Sequence, residues 1–226
     1  MDRYVRHATL LGKDKFTKIA DSVVLVAGAG GLGCTVLDLL ARIGIGTIHF
    51  YEYATIDAPD LNRQILYTPE HLGQQKCSVA ATRLNTINPD IRIVSHIEKI
   101  TKDTQIPDVD LVFDCLDNFT GRYILSDMAY NQKTALIHAG VSRHFGQITT
   151  IVPGKTPTLK TLFPLDPEEF DAKAVKEIMP HVVTTLASLQ VAQGISYLLN
   201  DYDALLLGKM LSVDLATFSF DIIPIS

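Results

Sequence analysis

Residues Ser22–Gly46 read SVVLVAGAGGLGCTVLDLLARIGIG, and Thr47–Glu52 continue as TIHFYE. Ser22–Ala27 is an unbroken apolar run, the pattern of a parallel strand buried on both faces. GAGGLG at Gly28–Gly33 interrupts it, and helical spacing then places Leu32, Val36, Leu37, Leu40 and Ile43 on one face. Gly44 and Gly46 end that helix, and Thr47–Tyr51 supplies a second strand. Gly28, Gly30 and Gly33 satisfy GxGxxG between a strand and a helix, and Gly31 lies within the same turn. Free N–H groups and the dipole at the helix start favour an anion there. Glu52 follows the second strand, where an acid can hold ribose hydroxyls. The turn points to a nucleotide without saying which one.

Further units follow at the same spacing. Glu52–Tyr67 has little periodicity and reads as a loop or short turns. Gln74–Asn88 predicts a helix stopped by Asn88-Pro89, and Ile91–Ser95 a third strand. Asp110–Cys115 predicts a fourth strand, Gly121–Gln132 a helix and Ala135–His138 a fifth strand. Phe145–Val152 alternates like an added antiparallel strand. Pro153–Phe170 is proline-rich and reads as a long loop. His181–Leu199 predicts a buried helix, and Lys209–Ile225 two short strands. The expected fold is α/β: a doubly wound, mostly parallel, Rossmann-like sheet with an antiparallel C-terminal extension. Without a repeat or a second core pattern, residues 1–226 read as one domain.

The 226 residues are 47% hydrophobic and 20% charged, which suits a soluble globular chain and excludes a disordered one. A net charge of -5 argues against nucleic acid as a partner. No apolar run has the ~18 residues of a membrane span, and MDRYVRHATLLGKDKF is too charged for a signal peptide. Three cysteines without CxxC spacing make a disulfide framework or a thiolate zinc site unexpected, and the cytoplasm is the expected compartment. Arg63, Lys76 and Asp117 suit a triphosphate. In an open α/β sheet the loops after the strand ends share one edge, which gathers Gly28–Gly33, Glu52 and Asp117 around one crevice.

Eight segments in order then carry a family resemblance: RYVRH (Arg3–His7), GAGGLGC (Gly28–Cys34), LNRQIL (Leu61–Leu66), LGQQK (Leu72–Lys76), INPDI (Ile87–Ile91), DCLDNFTGR (Asp114–Arg122), GQIT (Gly146–Thr149) and SLQVAQ (Ser188–Gln193). The chain resembles the MoeB/ThiF/HesA family of ubiquitin-activating-enzyme-like adenylyltransferases. The resemblance implies a ThiF-type fold and a homodimer that binds ATP and Mg²⁺ and adenylylates a carboxylate, with pyrophosphate leaving. It implies that the glycine loop holds phosphate and nucleoside, that Glu52 (Asp in the family) holds the ribose, and that Arg63 and Lys76 hold phosphates. It further implies that Arg6 reaches the partner subunit's site and that Asp117 binds Mg²⁺.

The chain departs from that family in several places. Zinc-binding CxxC pairs are absent: Thr158 and Thr161 stand at the first pair's positions, and FSFDIIPIS has no cysteine. No zinc site is therefore expected, and His138, His144 and His181 read as core or surface residues. Asp171–Glu177 (DAKAVKE) lacks the acceptor cysteine some members carry, so a separate thiol or acyl acceptor is expected downstream. Cys34, Cys77 and Cys115 read as small buried hydrophobes. Cys34 sits near a helix N-terminus, which on that ground would lower its pKa. Ala54 and Asp60 replace an Asp and an Asn usual in the family.

Two substrates compete. One is the C-terminal glycine of a ThiS/MoaD-like sulfur carrier. The other is a small-molecule carboxylate, since the short cysteine-poor form also resembles HcgE-type proteins, which act on a pyridinol in iron-guanylylpyridinol cofactor biosynthesis. An apolar groove for a tail would favour the carrier, and a closed pocket the small molecule. The alternatives from other classes are an NAD(P)-dependent oxidoreductase and a catalytically inactive nucleotide-binding partner subunit.

Overall fold

A computed structural model describes residues 3–164, 166–173, 175 and 177–225. Two helices, α1 (Val5–Leu11) and α2 (Lys13–Asp21), precede β1 (Val23–Ala27). Then come α3 (Gly31–Ile43), β2 (Thr47–Tyr51), α4 (Lys76–Ile87), β3 (Arg92–His96) and β4 (Leu111–Asp114). The chain continues through α5 (Phe119–Asn131), β5 (Ala135–Ser142), β6 (Phe145–Ile151), α6 (Leu159–Leu162) and α7 (Pro167–Ala172). It closes with α8 (Pro180–Leu198), β7 (Lys209–Asp214) and β8 (Ser219–Pro224).

The strands form one sheet in the order β3-β2-β1-β4-β5-β6-β7-β8. Pairing is parallel from β3 to β5 and antiparallel from β5 to β8. The alternation of β1 explains its unbroken apolar run. Val24 and Val26 enter the core shared with α3, α4 and α8, while Leu25 and Ala27 enter the core shared with α5 and α6. Both faces are covered, so neither tolerates polar residues. The final strands are the antiparallel extension expected from the sequence.

The Pro153–Phe170 stretch differs from its reading as a loop. Its prolines precede or open short turns of helix, α6 and the start of α7. Thr158 caps α6 by accepting from the Thr161 N–H, and the two threonine hydroxyls lie 3.1 Å apart. The Glu52–Tyr67 segment holds a 3₁₀ turn at Ala58–Asn62, and a second turn follows at Pro69–His71.

Candidate active site

The chain order reverses at β1, which pairs with β2 on one side and β4 on the other. Such a switch point opens a crevice beyond the strands' C-terminal ends. A cavity of ≈ 520 Å³ lies there, and its wall includes Gly28, Gly30, Gly31, Glu52, Arg63, Lys76 and Asp117. Gly33 is not in that wall. A Cβ on Gly33 would lie 1.9 Å from the Gly28 carbonyl oxygen, so this glycine serves close packing inside the turn. Gly28 has φ +96°, and a Cβ there would meet the Cys115 carbonyl at 2.9 Å. Arg6 lies exposed on α1, outside the cavity wall of its own chain.

The loop is held from outside. Glu52, buried, accepts from Ala29 N–H at 3.0 Å through one oxygen and from Tyr53 and Ala54 N–H at 2.8 Å each through the other. A carboxylate has about four acceptor positions, so these bonds leave roughly one for a ligand. The Tyr67 hydroxyl donates to Ala29 O at 2.7 Å. With both backbone groups of Ala29 engaged, the first N–H groups of α3, which have no partner within the helix, remain for an anion.

Asp60 organises the cations. Its carboxylate accepts from Lys76 Nζ at 2.9 Å, Gln64 Nε2 at 2.6 Å and Asp57 N–H at 3.0 Å. Arg63 Nη2 lies 3.7 Å from the same carboxylate. Lys76 is buried at the first position of α4. Spacing alone does not rank Asp60 beside Arg63 and Lys76, although its place three residues before Arg63 is a usable signal.

Asp117 is exposed at the cavity, and its Oδ1 accepts from Asn118 Nδ2 at 3.0 Å. Asn118 Oδ1 in turn caps α5 at Gly121 N–H, 2.8 Å away. Behind this turn Asp114, Arg122 and His138 are buried together. The neighbouring Arg122 and His138 hold the Asp114 carboxyl below its ordinary value against the opposing effect of burial. Burial lowers His138, whose Nδ1 lies 2.7 Å from Asp114 Oδ2. Gln190 of α8 donates to Asp114 O at 2.9 Å and Ile137 O at 2.8 Å, tying the ends of β4 and β5 together.

The segment crossing from β6 to α8 closes over this edge. Asp171 accepts from Phe119 N–H at 2.7 Å, Thr120 N–H at 3.1 Å and the Thr120 hydroxyl at 2.7 Å. Phe170 meets Phe119 edge to face at 4.6 Å. A second, more open groove of ≈ 680 Å³ shares Arg63, Glu177 and Ile178 with the first cavity. Pro59, Asn62, Arg143, His144 and Met179 complete its lining.

Burial overrides the helix-terminus effect expected at Cys34. The thiol is fully enclosed and pushed up to about 12. Burial also raises Cys77 and Cys115.

A family model described as the ThiF family matches residues 3–226. The chain belongs to the ThiF family. It is 29% identical over 231 residues to the SAMP-activating enzyme E1 of Haloferax volcanii, covering 99% of this chain and 85% of that protein. It is 31% identical over 214 residues to the sulfur carrier protein adenylyltransferase of Thermus thermophilus, covering 88% and 78%. The crystal structure of E. coli MccB with ATP superposes with a TM-score of 0.85 at 21% identity, covering 100% of this chain and 71% of that one, which shows the shared fold. This ThiF-family protein is an adenylyltransferase. Among its described residues no helix is long and apolar enough to cross a membrane.

Proposed function

We propose that this adenylyltransferase activates the C-terminal carboxylate of a small carrier protein or peptide as an acyl-adenylate. The observation that carries the reading is one cavity walled by the glycine loop, Glu52, Arg63, Lys76 and Asp117. A carboxylate oxygen attacks the α-phosphorus of ATP, the bond to the bridging oxygen breaks, and pyrophosphate leaves with that electron pair. The carboxylate is ionised at neutral pH, so no general base is needed. The barrier is the meeting of two anions. Like unit charges ~4 Å apart repel by about 4 kcal/mol at an effective dielectric of ~20. Arg63 and Lys76 offset that repulsion from positions fixed by Asp60, and the start of α3 receives phosphate oxygens. Glu52 offers its remaining acceptor position to the ribose.

Mg²⁺ fits the wall at Asp117. Among the described residues no group of three or more His, Cys, Asp or Glu side chains is placed to cage a metal. Mg²⁺ held by one carboxylate, waters and phosphates needs no such cage. When bound it neutralises charge across the triphosphate. Arg6, exposed on α1, serves the second copy of a homodimer in this reading.

The open groove, lined largely by polar residues, shares Arg63 with the cavity and has walls from the Ala58–Asn62 turn and the β5–β6 hairpin, which gives an extended tail the room that a small pyridinol carboxylate does not need. The names of the two relatives agree with such a substrate. The test is ATP–pyrophosphate exchange with Mg²⁺, driven by source-cell extract split on a small-pore filter. Exchange driven by the retained fraction supports the tail. Exchange driven only by the filtrate replaces it with a small carboxylate, and tighter binding of NAD than of Mg·ATP would sink the whole scheme.

A further inference from the structure

The segment Asp114–Arg122 has two charged ends that adenylylation leaves without a task. Asp114 closes β4 with no exposed surface, and Arg122, buried on α5, just reaches the cavity wall beside Leu116 and Asp117. Asp114 Oδ1 accepts from Leu116 N–H at 3.2 Å. Asp114 Oδ2 faces Arg122 Nη1 at 3.4 Å, and Arg122 Nη2 donates to the Leu116 carbonyl. The pair therefore grips both backbone groups of one residue, and the next residue is Asp117. Asn118 holds the far side through its bond to the Asp117 carboxylate.

The grip is itself anchored. Arg122 Nη1 donates to Ala139 O at 2.6 Å, and His138 Nδ1 approaches Asp114 Oδ2 at 2.7 Å. Arg122 Nη1 also lies 3.1 Å from His138 Nδ1, and a proton on Nδ1 serves the shorter contact, the one to the anion. His138 Nε2, buried and without a partner among the described residues, is then the bare nitrogen. Stability alone gives no reason for this arrangement, since apolar groups of similar size hold buried elements together as well as an ion pair does. Charges add direction. A planar guanidinium reaches two carbonyls and a carboxylate at once, and a lysine ammonium does not.

We propose that Arg122 is a positioning residue that acts through Leu116 to set where the Asp117 carboxylate meets the metal-bound nucleotide. This rests on the reading of Asp117 above. The test is calorimetric binding of ATP without carboxylate substrate, once in excess Mg²⁺ and once in EDTA, so that no turnover enters. Wild type should bind more tightly with Mg²⁺, and Asp117→Asn should lose that enhancement. Arg122→Lys should lose ~10-fold or more of the enhancement, the usual effect of disturbing a partner behind a metal ligand, while its affinity in EDTA stays within about 3-fold of wild type. Arg122→Lys with the full enhancement beside a deficient Asp117→Asn would overturn the role of Arg122 alone. Asp117→Asn with the full enhancement would overturn the reading of Asp117 on which it rests. Equal loss with and without Mg²⁺ in Arg122→Lys would reduce Arg122 to a structural part. Should that variant fail to fold, Asp114→Asn keeps an oxygen toward Leu116 and removes the anchoring charge. It must show the same selective loss, and a full Mg²⁺ enhancement in it overturns the proposal.

Discussion

Asp171→Ala should release the crossing segment from α5. In the intact chain Asp171 accepts from the first two N–H groups of α5 and from the Thr120 hydroxyl, while Asn118 caps the third N–H. Loss of a helix cap costs up to ~2 kcal/mol, and the favourable field of a helix start adds ~0.3–1 kcal/mol for an anion at the surface. Phe170 against Phe119 survives the substitution and limits the damage. Discounted for solvent screening, the local cost is about 2 kcal/mol, or ~30-fold in the opening equilibrium. Native-state hydrogen exchange read by mass spectrometry should show faster exchange in peptides covering 115–124 and 166–173, with β1 and β4 unchanged. Asp171→Asn should lie between wild type and Ala. Those same hydrogen bonds hold the Asp171 carboxyl below its ordinary value, against the opposing effect of burial. The latch is therefore complete above the ordinary carboxylate range and is lost as pH falls through the lowered value. Unchanged exchange in both segments of the Ala variant would show that Asp171 does not latch the crossing segment to α5.

Other outcomes follow from the same geometry. Gly33→Ala forces a Cβ to 1.9 Å from Gly28 O, whereas at Gly30 the nearest neighbour of a Cβ is 3.9 Å away. Gly33→Ala should lose several degrees of melting temperature, at ~2–4 °C per kcal/mol, and Gly30→Ala should lose far less. Burial lowers His49, His96 and His138. The unfolded chain then takes up protons that the native chain refuses. Stability should hold above the ordinary histidine value of ~6.5 and fall below it, most of all through the fully buried His138, as denaturant titrations at several pH values would show. The buried thiols should resist a thiol reagent in the native protein and react on unfolding, and replacing Cys77 by Ser should leave exchange activity in place. Rapid native labelling would contradict that.

The sheet was legible because strand and helix periods are strong local signals, and the glycine turn joins two of them. α1 and α2 leave little trace in the sequence, since short exposed helices have weak patterns and take their stability from contacts with the body. Arg63 and Asp117 stand out as charges on loops, and Lys76 as one at a helix start, on connections that a parallel sheet brings to one edge. The residues that position them were harder to see. Asp60, Tyr67 and Asp171 matter through partners distant in sequence or through turn geometry, and spacing carries no trace of such pairings. Arg122 and His138 look like ordinary strand-end or helix residues until β4 and β5 lie side by side. Cys34 shows the same limit from the other direction: the local helix start argued for a lowered pKa, and tertiary burial decided for a raised one.

The central claim is that this cavity exchanges pyrophosphate with ATP through an acyl-adenylate formed beside Asp117. The most direct test compares wild type and Asp117→Ala in ATP–pyrophosphate exchange, driven by the stimulating extract fraction, with ATP binding measured in parallel in EDTA. Wild type should exchange and Asp117→Ala should not, with ATP still bound by both. Wild type inert with every fraction, or exchange equal in the two proteins, would contradict it.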